Sequence, residues 1–202
     1  MTQVRYRSFD VPAYYHVYNR GAGKQKIFHD AADRKKFISL LARYLDENDE
    51  SVRSDGLPYE KSAARLIAYC LMGNHFHMML YQDQGSGDIS QLVDSVSISY
   101  SMYFNKRHNQ RGRLFEGVFR AKQIVDGAHF DHMTRYIHMN PRTYKTYKWS
   151  SLPEFMGRRQ TDWVYADQVM SMSSEQYACF LDDYVDKRAE LQKLKEMLEL
   201  DI

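Results

Sequence analysis

Residues 69–82, "YCLMGNHFHMMLYQ", set two histidines one residue apart in a run of large apolar side chains. The second half, bounded by Gly73-Asn74 and by Gln82-Asp83-Gln84-Gly85, reads as a short β-strand. Strand side chains alternate between faces, so His75, His77 and Met79 share one face and Phe76, Met78 and Leu80 the other. Two imidazoles one step apart on a face can hold a single metal ion. They can equally be hydrogen-bonded core histidines, and spacing alone does not choose. Further on, Tyr136 and Asn140 stand one helical turn apart in "GAHFDHMTRYIHMN", so they share a helix face. His132 is expected on that face one turn earlier. Packed beside the sheet, such a helix would set a phenol and a neutral oxygen ligand over the histidine pair. The plainer reading is a packing tyrosine and a polar residue ahead of Pro141.

These side chains need a scaffold. "AYYHVYNR" (13–20) alternates and is rich in Tyr and Val, as a strand is, and Gly21 and Gly23 close it. "DAADRKKFISLLARYLDEN" (30–48) has Phe37, Leu40, Leu41, Tyr44 and Leu45 at helical spacing, with Asp30 placed to cap it. "RLIAYCLM" is a second strand, and Gly73-Asn74 turns it into "HFHMMLYQ" as a hairpin. Residues 88–108 form a second helix, with Leu92, Ser95/Val96, Ser99 and Met102/Tyr103 expected along one face. A fourth strand is expected near Lys122–Val125, then a third helix over 127–140 that Pro141 ends. The order β-α-β-β-α-β is that of an α+β, ferredoxin-like fold: an antiparallel sheet with helices on one face. Residues 1–150 are expected to form this domain. Residues 151–202 are expected to form an appendage ending in a helix, "DKRAELQKLKEMLEL".

The formal charge of +2 hides an asymmetry: residues 105–160 hold 12 basic and 4 acidic side chains, and residues 161–202 hold 4 basic and 10 acidic. A basic middle beside the candidate site points to a polyanion, most simply nucleic acid. Two cysteines far apart, Cys70 and Cys179, fit a reducing compartment better than a disulfide scaffold. No apolar run reaches membrane-spanning length, and "MTQVRYRSFD" lacks a signal-peptide core. A soluble, cytoplasmic protein without membrane contact is the expectation.

Three motifs in matching order, "CLMGNHFHMML", "GRLFEGVFRAKQI" and "RYIHMNPRTYK…YKWSS", closely resemble the single-tyrosine (HUH) transposases, and more narrowly the REP-associated tyrosine transposases. The likeness runs from about Tyr15 to Ser151. It implies that His75 and His77 bind a divalent metal, that Tyr136 is the nucleophile and that Asn140 completes the metal site. The family suggests Mg2+ or Mn2+, and imidazole ligands fit manganese better. The resemblance further implies metal-dependent cleavage, and rejoining, of single-stranded DNA carrying a REP-like hairpin, through a 5′-phosphotyrosine. "YYHVYNRGAGKQKIF" resembles the family's first strand and basic loop, with Arg20 and Gly21 in place. Where relatives often have Met-Pro-Asn before the first histidine, this chain has Met72-Gly73-Asn74. Lys106, Arg107, Arg111, Arg113, Arg120 and Lys122, with Arg20, are the candidate DNA contacts, and Phe115 and Phe119 could stack unpaired bases. The long acidic tail favours a monomer over a homodimer.

Other classes fare less well. A zinc site from Cys70, His75 and His77 is awkward, because Cys70 falls across the Gly73-Asn74 turn. A P-loop at "GAGK" lacks the required Gly-x4-Gly-Lys-Ser/Thr pattern. A non-catalytic single-stranded nucleic-acid binder of the same fold would have no need of His75, His77, Tyr136 and Asn140 together.

Overall fold

A computed structural model of the chain describes residues 7–166 and 172–184; the terminal helix expected at 186–200 lies outside them. The elements run β1 (Ala13–Arg20), α1 (Ala31–Leu45), β2 (Arg65–Leu71), β3 (His75–Gln82), α2 (Asp88–Arg107), β4 (Arg120–Ile124) and α3 (Gly127–Met139). A short α4 (Leu152–Phe155) and α5 (Ser174–Asp182) follow. The strands lie in the order β2-β3-β1-β4, each antiparallel to its neighbours. This is the expected ferredoxin-like α+β arrangement, with β1 and β3 as the central pair.

Each face of the sheet has its own chemistry. Phe76 on β3 packs against Phe37 of α1, at 5.1 Å between ring centroids, and α1 and α2 cover that face. The opposite face, carrying His77, is covered by α3. The first two helices thus share one face as expected, and the third closes the other. Asp30 caps α1 by accepting from the Ala32 and Asp33 amides. Helix α2 turns a different stripe inward than its spacing suggested. Ile89, Leu92, Val93, Val96, Tyr100 and Phe104 are buried, whereas Met102 is 70% exposed.

The segment after 150 is tied to the same core. Ser151 Oγ accepts from the Tyr69 amide at 2.8 Å, and Phe155, Val164, Tyr177 and Leu181 join the hydrophobic cluster of the sheet. Between α3 and this segment, His138 is fully buried, with Nδ1 on the Tyr177 hydroxyl (2.8 Å) and Nε2 on Ser151 Oγ (2.9 Å). Burial holds its pKa down to about 3, so the folded ring is neutral. The unfolded chain takes up a proton near pH 6.5 and the folded chain does not, so this contribution to stability disappears as pH falls below that value. Lowering the pH from 7 to 5 should cost roughly 2 kcal/mol from this ring alone. Urea denaturation of wild type and His138→Asn at the two pH values isolates it: the variant should lose this part of the pH dependence and keep the part due to the buried His16.

Candidate active site on the sheet face under the third helix

The register of the strands decides which side chains meet. Arg20 pairs with His75, Tyr18 with His77 and His16 with Met79, and on the other side of β1 Tyr18 pairs with Arg120 and His16 with Lys122. Directly paired residues share a face. His16, Tyr18, Arg20, Arg120 and Lys122 therefore stand on the same surface as the two histidines. So does Cys70, paired with His77 and fully buried. It lies across the Gly73-Asn74 turn from the histidines, as expected, directly opposite His77. Even so, among the described residues no three His, Cys, Asp or Glu side chains form a metal-binding group.

The turn that presents His75 is braced from the loop after β1. The Gly73 carbonyl accepts from both Ile27 and Phe28 amides at 3.0 Å, and the Gly21 amide donates to the Asn74 carbonyl at 2.8 Å. Gly21 has to be glycine here, because a Cβ would lie 2.2 Å from the Gln25 carbonyl oxygen. The Asn74 side chain is fixed by the same loop. Its Nδ2 donates to the Lys24 carbonyl (3.4 Å), which turns its Oδ1 toward His75 Nδ1 at 2.7 Å. In the neutral ring the proton therefore sits on Nδ1, and His75 Nε2 presents a lone pair.

Helix α3 supplies the rest. Asp126 caps it through the His129 amide at 2.7 Å, Pro141 stops it, and Asn140 ends it. Asn140 reaches between the histidines, with Oδ1 3.3 Å from His75 Nε2 and Nδ2 3.3 Å from His77 Nε2. The Tyr136 ring stands edge-on to His77, with centroids 5.2 Å apart at 82°. Tyr136 is buried, and its hydroxyl has no hydrogen-bond partner among the described residues. Burial pushes its pKa above the ordinary phenol value; the nearby Asn140 amide opposes the rise, and Tyr18 and Cys70 add to it.

The donor set fits a divalent cation. His75 Nε2, a lone pair, faces the Asn140 carbonyl oxygen, another acceptor. Two acceptors at hydrogen-bonding distance repel each other unless a proton or cation lies between them. Two imidazole nitrogens and one amide oxygen converging from a strand and a helix leave further positions open to substrate, as a catalytic centre requires.

Sequence reading missed two contributors. His16 is fully buried and hydrogen-bonded to His77 Nδ1 at 2.9 Å; burial holds its pKa down to about 3, with His129 and Lys122 adding to the effect. Asn74 is the other. Alternation in "AYYHVYNR" already put His16, Tyr18 and Arg20 on one face, but only the register places that face against His77. Two histidines of α3 are engaged elsewhere: His138 in the network beneath α3, His132 beside Phe180 and Tyr184.

The candidate DNA contacts divide. Arg120 and Lys122 lie on the site face, and Arg20 is there too, ion-paired with Glu116. Lys106 lies in the last turn of α2, and Arg111 and Arg113 lie exposed in the loop that follows, where the Leu114 carbonyl accepts from the Ala22 amide and the Glu116 amide donates to the Arg20 carbonyl. Arg107 is engaged within the fold. Its guanidinium is clamped by Asp30 (2.7 Å) and by the buried Asp33, locking α2 to the start of α1. Releasing it to a phosphate would leave the Asp33 carboxylate short of charge compensation. Arg107→Ala should thus lower the melting temperature by several degrees and leave the salt dependence of DNA binding unchanged.

Residues 58–140 match the family model described as "Transposase IS200 like", which spans β2 to α3 and includes all four residues of the candidate centre. The resemblance to the single-tyrosine transposases read from the sequence is thereby borne out over these residues. The fold resembles the solved structure of a REP-associated tyrosine transposase bound to a REP hairpin, with a TM-score of 0.55 and 12% identity over 86% of this chain and 96% of that one. At that identity the likeness speaks to fold. A transposase candidate from Deinococcus radiodurans R1 aligns over 67% of this chain and 95% of its own, at 13% identity and a TM-score of 0.41. No curated protein matches by sequence. No helix among the described residues is long and apolar enough to cross a membrane.

Proposed function

From the IS200-like transposase match over residues 58–140, we propose that this protein is a metal-dependent transposase that cleaves and rejoins single-stranded DNA bearing a REP-like hairpin, with Tyr136 as nucleophile. The observation that carries the reading is one cluster: the Tyr136 phenol edge-on to His77, with the Asn140 amide within 3.3 Å of both histidine Nε2 atoms. His75 Nε2, His77 Nε2 and Asn140 Oδ1 would hold Mg2+ or Mn2+. When bound, such an ion supplies Lewis-acid polarisation of a phosphate oxygen and offsets charge in the transition state.

The chain's own residues do the rest. Tyr136 Oη gives up its proton and forms the bond to phosphorus, the bond to the 3′ oxygen breaks, and that oxygen leaves as a 3′-hydroxyl, taking up one proton in place of the one the phenol released. The 5′-phosphotyrosine conserves the energy of the bond, so a second 3′-hydroxyl can reverse the step without ATP. Arg120 and Lys122, on the same sheet face, draw the backbone toward the phenol. Helix α3 holds Tyr136 and Asn140 one turn apart, so nucleophile and ligand move as a unit. Residues 1–150 would form the catalytic unit, acting as a monomer.

Incubation with single-stranded hairpin DNA and Mn2+, followed by denaturing electrophoresis, tests this directly: a covalent protein–DNA species is expected, and none should form on the fully duplex version. Affinity should fall with salt at a log–log slope of about −0.7 per phosphate neutralised. Arg120→Ala with Lys122→Ala should reduce that slope by one to two such steps. An unchanged slope would remove both residues from the DNA path.

A further inference from the structure

We propose that His16 is the positioning residue of the metal centre: by accepting the His77 Nδ1 proton at its own Nε2, it fixes the His77 ring and leaves His77 Nε2 as a lone pair for the cation. The inference rests on the metal reading above and adds to it a residue from a different strand. The hydrogen bond between the rings is 2.9 Å long, fully buried and nearly coplanar, at 18° between ring planes. On the other side of His77, the Asn140 amide points Nδ2 at Nε2, which requires a lone pair there. The His77 proton is then on Nδ1, and His16 must accept it. His75 is handled in the same way by a different residue, since Asn74 Oδ1 receives its Nδ1 proton. Both imidazoles are thus held with Nε2 toward Asn140.

This arrangement has a cost that packing alone does not explain. Accepting at Nε2 puts the His16 proton on Nδ1, and that atom is buried without a hydrogen-bond partner among the described residues. At the centre of a sheet, stacked on Tyr18 and edge-on to Tyr136, a phenylalanine would fill the space without that penalty. A polar ring at this position is explained by what its other nitrogen does for His77. Partners of this kind raise ligand basicity and hold ring orientation, and losing one weakens metal affinity by about 10- to 100-fold.

The test is Mn2+ binding to the full chain without DNA, by isothermal titration calorimetry, for wild type, His16→Phe, His16→Gln and His77→Ala. His16→Phe should weaken Mn2+ by about tenfold or more while hairpin binding in chelator stays unchanged. His16→Gln, whose Oε1 can accept the same proton, should recover most of the affinity. If His77→Ala abolishes binding but His16→Phe matches wild type, the positioning role is overturned and the metal reading stands. If wild type binds no Mn2+, or His77→Ala binds as well as wild type, the metal reading itself fails and takes this inference with it. Should His16→Phe not fold, long-range 15N–1H spectra of wild-type protein decide: a proton on His77 Nδ1 is expected, and one on Nε2 overturns the proposal.

Discussion

Tyr136→Phe should eliminate the covalent protein–DNA species and leave the fold and hairpin binding intact. The substitution removes one oxygen and almost no volume. That oxygen is buried and makes no hydrogen bond among the described residues, so its loss strands no partner. The edge-on contacts of the ring with His77 and His16 are kept. Stability should therefore hold or rise slightly, because an unpaired buried hydroxyl is a cost. Cleavage should fall on the order of 10³-fold or more; Tyr18, the other phenol beside His77, is the residue to which any residual covalent species should map. Tyr144 and Tyr147 are the controls: their hydroxyls are used on Asp182 (2.9 Å) and on the Leu71 carbonyl (2.6 Å), and their Phe variants should still form the species. Mass spectrometry of the digested wild-type species would overturn the assignment by finding nucleotide on Tyr100, Tyr103 or Tyr144 with Tyr136 unmodified.

How far the sequence alone reaches can be judged residue by residue. The β2–β3 hairpin was legible because Gly73-Asn74 punctuates two apolar runs, and α1 because Asp30 caps a clear stripe. The alternation that put His75 and His77 on one face needs only the two-residue strand period. Tyr136 and Asn140 on one helix face likewise need only the helical repeat, with Pro141 marking the end. Helix α2 was misphased for a physical reason. Leu92, Val96, Ser99 and Met102 average about 3.3 residues per turn, whereas a straight helix turns every 3.6, so that stripe slides off the buried face, which continues through Tyr100 and Phe104 and leaves Met102 outside.

Long-range pairing was not legible. Nothing local says that His16 meets His77 or that Arg107 finds Asp33. Charge counting treats Arg107, Arg120 and Lys122 alike. The fold separates them, because Asp33 is buried at the start of α1 and needs a cation there, while β4 sets the other two beside the site. The family resemblance supplied roles for His75, His77, Tyr136 and Asn140, but it carried no information about the residues that hold them in place.

The second large effect concerns the metal. His75→Ala should lower cleavage by more than about 100-fold while binding to hairpin DNA keeps its salt slope, because the basic surface supplies most of the affinity. His75 suits this test better than His77. It lies at the start of β3, half-buried, and its removal frees Asn74 Oδ1 and Asn140 Oδ1 next to solvent. Truncating His77 instead opens a space beneath Tyr136 and strands His16 in the core. Wild type in excess chelator should reproduce the variant's loss, and chelator should take nothing further from the variant. Returning Mn2+ should restore wild type and leave His75→Ala inactive across the same range of metal. The remaining donors, His77 Nε2 and Asn140 Oδ1, are too few to hold a divalent ion against water at a site that must also admit phosphate. Full cleavage by wild type in excess chelator would remove the metal from the mechanism. Asn74, His75, His77 and Asn140 would then be a hydrogen-bonded frame that only orients Tyr136.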